Sequence, residues 1–197
     1  MQSIAMFGVR RSGNHAFQDF LFKEAGGGLL YNDKKFPVRM GMPTRTIGDG
    51  NPLVIVSFED IPVREHRFEK TVVLVRSAYN AFSSRLCATS ERLYKHRVRN
   101  YEEAMAAWID HAGQEHIQYE AIDFKDIRKH RPSFSDDAYN QRWKHVHLCQ
   151  WDGWEKHWDK LLGDDEIRAE HERIYGWTLT KSGVYYESPN QESALPS

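Results

Sequence analysis

The stretch SIAMFGVRRSGNHAF, residues 3–17, decides the fold of this 197-residue chain. Its apolar residues 4–7 have strand character, and a polar turn separates them from a helical pattern that begins at Asn14. Gly8 and Gly13 have four residues between them, which is the spacing of a loop that cradles phosphate. In such loops the backbone comes close to an anion, and the helix N-terminus adds positive potential. The stretch therefore predicts an anion-binding loop between a strand and a helix.

The composition is that of a packed globular protein with little net charge. Hydrophobic residues make up 40% and aromatic residues 13% of the chain, and the formal net charge is −1. We expect no nucleic-acid partner, because this charge gives no global attraction to polyanions. Anions must then be bound by local basic clusters, which occur at residues 10–11, 64–67 and 95–99. The length predicts one domain over residues 1–180, with a flexible polar tail over 181–197.

Cysteine content and hydropathy predict a soluble cytoplasmic protein. Cys87 and Cys149 are the only cysteines, and a single possible pair in a chain of this size indicates reduced thiols. The N-terminus lacks the basic start and long apolar run of a signal peptide. No segment approaches the roughly 18 apolar residues that are needed to span a bilayer.

Strand and helix patterns alternate along the chain. Residues 53–58 and 71–75 are rich in Val, Ile and Leu, as in strands that are buried on both faces of a sheet. Apolar periodicity predicts helices at residues 14–25, 79–94, 101–116 and 164–175, with glycines 26–28 and 176 as stops. This order predicts an α/β fold, a three-layer sandwich around a mainly parallel sheet, with a helical C-terminal half. Ligands of such folds bind beyond the carboxyl ends of the strands.

Two further segments, at residues 29–52 and 151–158, give one prediction each. Residues 29–52 contain three prolines and several glycines, so we expect a long loop that forms part of an acceptor site. Trp151, Trp154 and Trp158 have the spacing of one helix face, which predicts a buried seam.

The loop departs from that of magnesium-dependent nucleotide enzymes. Their motif continues with Lys and then Ser or Thr, whereas this chain has Asn14 and His15. The hydroxyl ligand of magnesium is therefore missing, and Arg10 and Arg11 can supply positive charge instead. This pattern favours metal-free transfer of a group such as sulfuryl over a P-loop kinase or nucleotide hydrolase. A β-to-α turn without a ligand stays open as an alternative.

A second motif follows the strand at residues 71–75. Arg76 ends that strand and Ser84 lies eight positions later, with Asn80 and Arg85 around them. This motif resembles that of the sulfotransferases that use 3′-phosphoadenosine 5′-phosphosulfate (PAPS), especially their bacterial branch. An arginine can bind a phosphate through two parallel charge-assisted hydrogen bonds. The resemblance implies that Arg76 and Ser84 bind the 3′-phosphate of PAPS.

The resemblance also implies a P-loop-like sulfotransferase fold and assigns roles to the first loop. Arg11 takes the place of the residue that contacts the 5′-phosphosulfate. Its neighbours make further contacts with PAPS: Arg10, Ser12, Gly13, Asn14 and His15. In the family, the strand that lies between the two motifs, here residues 53–58, ends in the catalytic base. Glu59 is the first candidate for that base here and Asp60 the second, provided that burial raises the carboxyl pKa.

The resemblance is weaker beyond residue 86. Ser133, Arg142 and Lys144 are candidate contacts with PAPS. The glycine-rich segment that the family has in this region is missing here. The nearby His-x-His-x-Cys run at residues 145–149 is not expected to bind metal, because the surrounding periodicity favours a helix.

The expected activity is transfer of a sulfuryl group from PAPS to a hydroxyl acceptor, with a carbohydrate as the favoured acceptor. PAPS is the co-substrate, PAP is the product, and no metal is required. A non-catalytic relative that binds PAP or a nucleotide is the other alternative, because the glycine-rich segment is absent.

Overall fold

The computed structural model describes residues 2–48, 53–88, 90–122, 151–179 and 185–187. Within these residues the chain forms eight strands and six α-helices. The strands are β1 (Gln2–Gly8), β2 (Gly28–Tyr31), β3 (Arg45–Ile47), β4 (Leu53–Glu59), β5 (Lys70–Val75), β6 (Ile117–Gln118), β7 (Trp177–Leu179) and β8 (Tyr185–Glu187). The helices are α1 (Asn14–Glu24), α2 (Ala78–Leu86), α3 (Glu91–Val98), α4 (Tyr101–Gly113), α5 (Trp154–Leu162) and α6 (Asp165–Tyr175).

The main sheet has six strands in the order β3-β2-β4-β1-β5-β6. All neighbours pair in parallel except β2 and β3, which are antiparallel. The register places Gly8 opposite Glu59, so β1 and β4 end at the same edge. The chain leaves β1 toward β2 on one side and leaves β5 toward β6 on the other. Because these connections diverge, a crevice opens between the ends of β1 and β5.

Apolar side chains fill both faces of the sheet, as the strand patterns predict. In β1, Ile4 and Met6 join one buried cluster, whereas Ala5 and Phe7 join the other, because successive strand residues point to opposite faces. The first cluster contains residues of α1, and the second contains residues of α2, α4, α5 and α6. The mixed α/β class and the mainly parallel sheet are therefore confirmed.

The structure corrects three expected elements. The helix expected at residues 79–94 is two helices, because the Ser90 side chain accepts a hydrogen bond from the Leu93 amide and so begins α3 anew. The loop expected at residues 29–52 contains β2 and β3, which extend the sheet beyond β4. Trp151 precedes α5 and is not on its face, although all three tryptophans pack against the larger cluster.

Other boundaries agree with the sequence. The Asp164 side chain accepts from the Ile167 amide at the start of α6, and Gly176 ends that helix with a φ of 72°.

Strand β8 lies within residues 181–197, for which the sequence predicts a flexible tail, and it pairs with β7. In the part of the chain that the structure describes, none of the helices has the length and apolar character to cross a bilayer.

Candidate anion-binding site

The loop between β1 and α1 depends on two residues in the left-handed region. Arg11 has a φ of 76° and Gly13 a φ of 88°, and the Ser12 amide donates to the Val9 carbonyl over 3.1 Å. Gly13 also lies against the ring of Tyr119, which a Cβ at this position would overlap. Glycine is therefore required at position 13 both by the backbone conformation and by the close approach of Tyr119.

Asn14 fixes the shape of the loop from within. Its Nδ2 donates to the carbonyls of Gly8 and Val9 over 3.4 and 3.3 Å, and a Cβ on Gly8 would overlap its Oδ1. The side chain of Ser12 is fully buried. The Ser12 side chain is thus buried behind the loop, and the amide nitrogen of the Asn14 side chain is turned to loop carbonyls.

The N-terminus of α1 is electrostatically suited to an anion. Its N-cap is Gly13, no side chain caps it, and its first turn contains no acidic residue. The first amides of a helix have no acceptor within the helix, and they carry the positive end of its dipole. This end of α1 can therefore bind a negatively charged group.

A cleft of about 580 Å³ opens at this helix end. Among the described residues, its lining side chains include five arginines, two histidines and a single carboxylate: Arg10, Arg11, Arg76, Arg85, Arg97, His15, His96 and Glu59. Gly13, Asn14 and Ser84 line it as well. We call it the cationic cleft. The structure thus brings together most of the predicted residues of the first loop, Glu59 at the end of β4, and both predicted residues of the second motif, whereas Ser12 and Asp60 do not line this cleft.

Arg76 connects the ends of β5 and β1. Its Nη1 donates to the Arg11 carbonyl over 2.8 Å, and its guanidinium carbon lies 5.6 Å from the centre of the Tyr119 ring. Its Nε lies 3.9 Å from a carboxylate oxygen of Glu120. These contacts hold the guanidinium of Arg76 beside the loop and in the wall of the cationic cleft.

Arg10 lies among three carboxylates. Its Nη2 is 2.8 Å from Asp33, and its Nε is 3.2 Å from Glu59 and 3.5 Å from Asp60. Although Arg10 lines the cleft, its charge is largely balanced by these neighbours. Arg11 is exposed and is therefore the stronger candidate contact for a ligand.

Glu59 is the only carboxylate that faces the cationic cleft among the described residues. Burial raises its pKa above the ordinary 4.5, and the charge of Asp33 adds to the rise. His15, Arg10 and the Asn14 amide act in the opposite direction. The Nε2 of His15 lies 3.9 Å from Glu59. A carboxylate with a raised pKa that faces a ligand cleft is suited to accept a proton.

Asp60, the second candidate base, is occupied by other partners. Its Oδ1 accepts from the Arg10 amide over 2.9 Å and from the Arg85 Nη1 over 2.8 Å. Asp60 does not line the cationic cleft. These contacts favour Glu59 over Asp60 as a proton acceptor.

Sequence reasoning did not select four polar or aromatic residues that line the cleft: Arg85, His96, Arg97 and Tyr119. The basic run at residues 95–99 was a signal for two of them. The position of Tyr119 depends on β6, which has only two residues and gives no usable pattern. Ser133, Arg142, Lys144 and the His-x-His-x-Cys run lie outside the described residues.

No protein-family model, curated protein or solved structure matches this chain.

Proposed function

We propose that this protein is a sulfotransferase with a P-loop-like fold, which transfers a sulfuryl group from PAPS to a hydroxyl acceptor, with a carbohydrate as the favoured acceptor. One observation carries the proposal: Arg11, Arg76 and Ser84, which were selected from two separate motifs, line the same cleft. A cofactor with phosphate groups at two positions needs such paired cationic contacts. The surplus of arginines over carboxylates in the cleft supports binding of an anion of this kind.

The first loop would bind the 5′ end of PAPS. The amides at the start of α1 and the side chain of Arg11 stabilise negative charge as it develops on the leaving phosphate oxygen. Arg76 and Ser84 would contact the 3′-phosphate. Arg76 needs little reorganisation for this role, because its contacts with Arg11 and Tyr119 already orient its guanidinium.

Glu59 would act as the general base. The acceptor oxygen attacks sulfur in line, the bond between sulfur and the 5′-phosphate oxygen breaks, and the acceptor proton passes to Glu59. The products are the sulfated acceptor and PAP. The raised pKa of Glu59 brings its proton affinity closer to that needed near neutral pH.

A magnesium-dependent kinase or nucleotide hydrolase is the competing enzyme class. Asn14 stands where that class has lysine, and its amide is turned to the carbonyls of Gly8 and Val9. His15 stands where that class has the hydroxyl ligand of magnesium. Neither residue replaces the missing group, and this favours PAP over magnesium-bound ATP as the ligand.

Calorimetric titration with PAP and with ATP plus magnesium tests the proposal. We expect PAP to bind, the variant Arg76→Gln to weaken binding about tenfold or more, and the control variant Arg67→Gln to bind as wild type does. Arg67 is exposed and does not line the cationic cleft. Binding of ATP without binding of PAP would contradict the proposal. PAP binding without PAPS turnover over a range of acceptors would instead favour the non-catalytic alternative.

A further inference from the structure

A second cleft of about 500 Å³ adjoins the turn at the end of β4. Glu59 lines the cationic cleft, and the next residue, Asp60, lines this second cleft. Asp60 has a φ of 58°, so the chain changes direction between the two clefts. A molecule bound in the second cleft would therefore lie next to the proposed base.

The second cleft has two cationic side chains on its walls. Lys35 is 63% exposed, and its Nζ lies 3.7 Å from an oxygen of Asp33. Arg64 is exposed, and its guanidinium carbon lies 5.8 Å from the centre of the Phe36 ring. The Phe36 ring also stacks on the Phe58 ring, with 4.6 Å between the ring centres. Arg64 is thus held over an ordered aromatic surface while it stays accessible to solvent.

The carboxylate of Asp60 does not cancel these charges. Its Oδ1 accepts from the Arg85 guanidinium and from the Arg10 amide. Glu103 is the other acidic residue among those that line the second cleft. It is exposed and sits on α4, where it can accept hydrogen bonds from hydroxyl groups. The walls therefore combine two cationic groups with a carboxylate that can accept from hydroxyls.

Asn100 adds an amide to this surface. It occupies the N-cap of α4, where an Asn side chain ordinarily accepts a hydrogen bond from the helix. Here its φ is 57° and its side chain makes no capping bond. It lines the second cleft instead. A side-chain amide both donates and accepts, which suits recognition of sugar hydroxyls.

We propose that the second cleft is the acceptor subsite, and that it selects a hydroxyl-bearing acceptor that also carries an anionic group, a sugar carboxylate such as a uronate. Lys35 and Arg64 bind the carboxylate, and Asn100 and Glu103 bind hydroxyls. This inference rests on the proposed sulfotransferase function for its acceptor role. Binding of the sugar, in contrast, can be measured without turnover.

Ligand-observed NMR with methyl β-D-glucuronide and methyl β-D-glucoside tests the proposal, because the two sugars differ at the carboxylate. We expect wild type to bind the glucuronide about tenfold more tightly than the glucoside, the size of one charge-assisted hydrogen bond. The double variant Lys35→Gln/Arg64→Gln should lose this preference and still bind PAP. Arg67→Gln is the matched control, because it removes an exposed arginine from the same segment without touching the second cleft.

The variant Arg64→Lys keeps the charge and should retain most of the preference, which separates charge from the contact with Phe36. Thermal unfolding of each variant shows whether it folds. If wild type binds PAP but shows no preference for the glucuronide, or if the double variant keeps the preference, the acceptor inference is overturned and the proposed function stands. If wild type does not bind PAP, the proposed function fails and the acceptor role fails with it.

Discussion

Oδ1 of Asp60 lies 2.8 Å from Nη1 of Arg85, and the two side chains are only 9% and 1% exposed. This buried ion pair joins the end of β4 to α2. Arg85 also donates to the carbonyls of Arg97 and Arg99 at the end of α3. Since Arg97 lines the cationic cleft, the pair positions one wall of the candidate site.

Removal of the Asp60 charge is expected to destabilise the protein. Asn tolerates the left-handed conformation at this position, so Asp60→Asn keeps the backbone and leaves the buried Arg85 without its counter-charge. We expect the free energy of unfolding to fall by about 2 kcal/mol, as measured by urea denaturation. We also expect weaker PAP binding, because α3 loses an anchor.

The exposed pair Glu91–Lys95 is the matched control for this prediction. Its oxygen and nitrogen are 2.7 Å apart, yet both side chains are more than half exposed. Water screens such pairs, so Glu91→Gln should leave the unfolding midpoint and PAP affinity unchanged. Equal effects of Asp60→Asn and Glu91→Gln would show that burial of the Asp60–Arg85 pair has no special importance.

Gly13→Ala should both destabilise the chain and abolish anion binding. The left-handed conformation costs a non-glycine residue about 1–2 kcal/mol, and the new Cβ would overlap the Tyr119 ring. Gly26→Ala separates the two causes, because Gly26 has a φ of 75° with nothing near its missing Cβ. Urea denaturation should show a larger loss for Gly13→Ala than for Gly26→Ala. Similar losses would mean that Tyr119 does not restrict this position.

His171 should make stability depend on pH. It is fully buried, and its ring nitrogens contact the Ser77 hydroxyl and the Trp177 carbonyl, each at 2.8 Å. Burial lowers its pKa from 6.5 to about 4. The unfolded chain therefore binds a proton at a higher pH than the folded chain does. The contribution of neutral His171 to stability is therefore full above pH 6.5 and is lost as the pH falls toward 4.

The size of this contribution is about 3 kcal/mol, from the separation of the two pKa values. Urea denaturation at a series of pH values measures it. The variant His171→Phe should show a shallower loss of stability between pH 6.5 and 4 than wild type, whatever its stability at neutral pH. Parallel pH profiles for the two proteins would exclude His171 as the titrating group.

Glu59→Gln should reduce sulfuryl transfer by about 10²–10⁴-fold, the usual contribution of a general base, while PAP binding is retained.

In wild type, turnover should fall as the pH drops through the raised pKa of Glu59, because only the carboxylate accepts a proton. Asp33→Asn removes a charge that raises this pKa, and should shift the acid limb of the profile to lower pH. An unshifted acid limb would assign that limb to another group.

Much of the fold could be predicted from local sequence. The three buried strands β1, β4 and β5 show as short apolar runs, because strands that are covered on both faces need apolar residues in succession. The ends of α1 and α6 follow from glycine and from a side-chain cap. Strands β2 and β3 could not be predicted, since they have four and three residues and depend on pairing with the rest of the sheet.

In the candidate site, too, the sequence predicts some features and only the tertiary structure shows the others. The sequence by itself was enough to predict that Arg11, Glu59 and Arg76, which end a strand or follow one closely, lie near one another, because parallel strands bring their carboxyl ends to one edge. Only the tertiary structure decided what each side chain contacts. It turned Asn14 inward, paired Asp60 with Arg85, and brought Tyr119 against Gly13. The last two contacts join residues that are far apart in the chain, and packing, which sequence spacing does not encode, sets them.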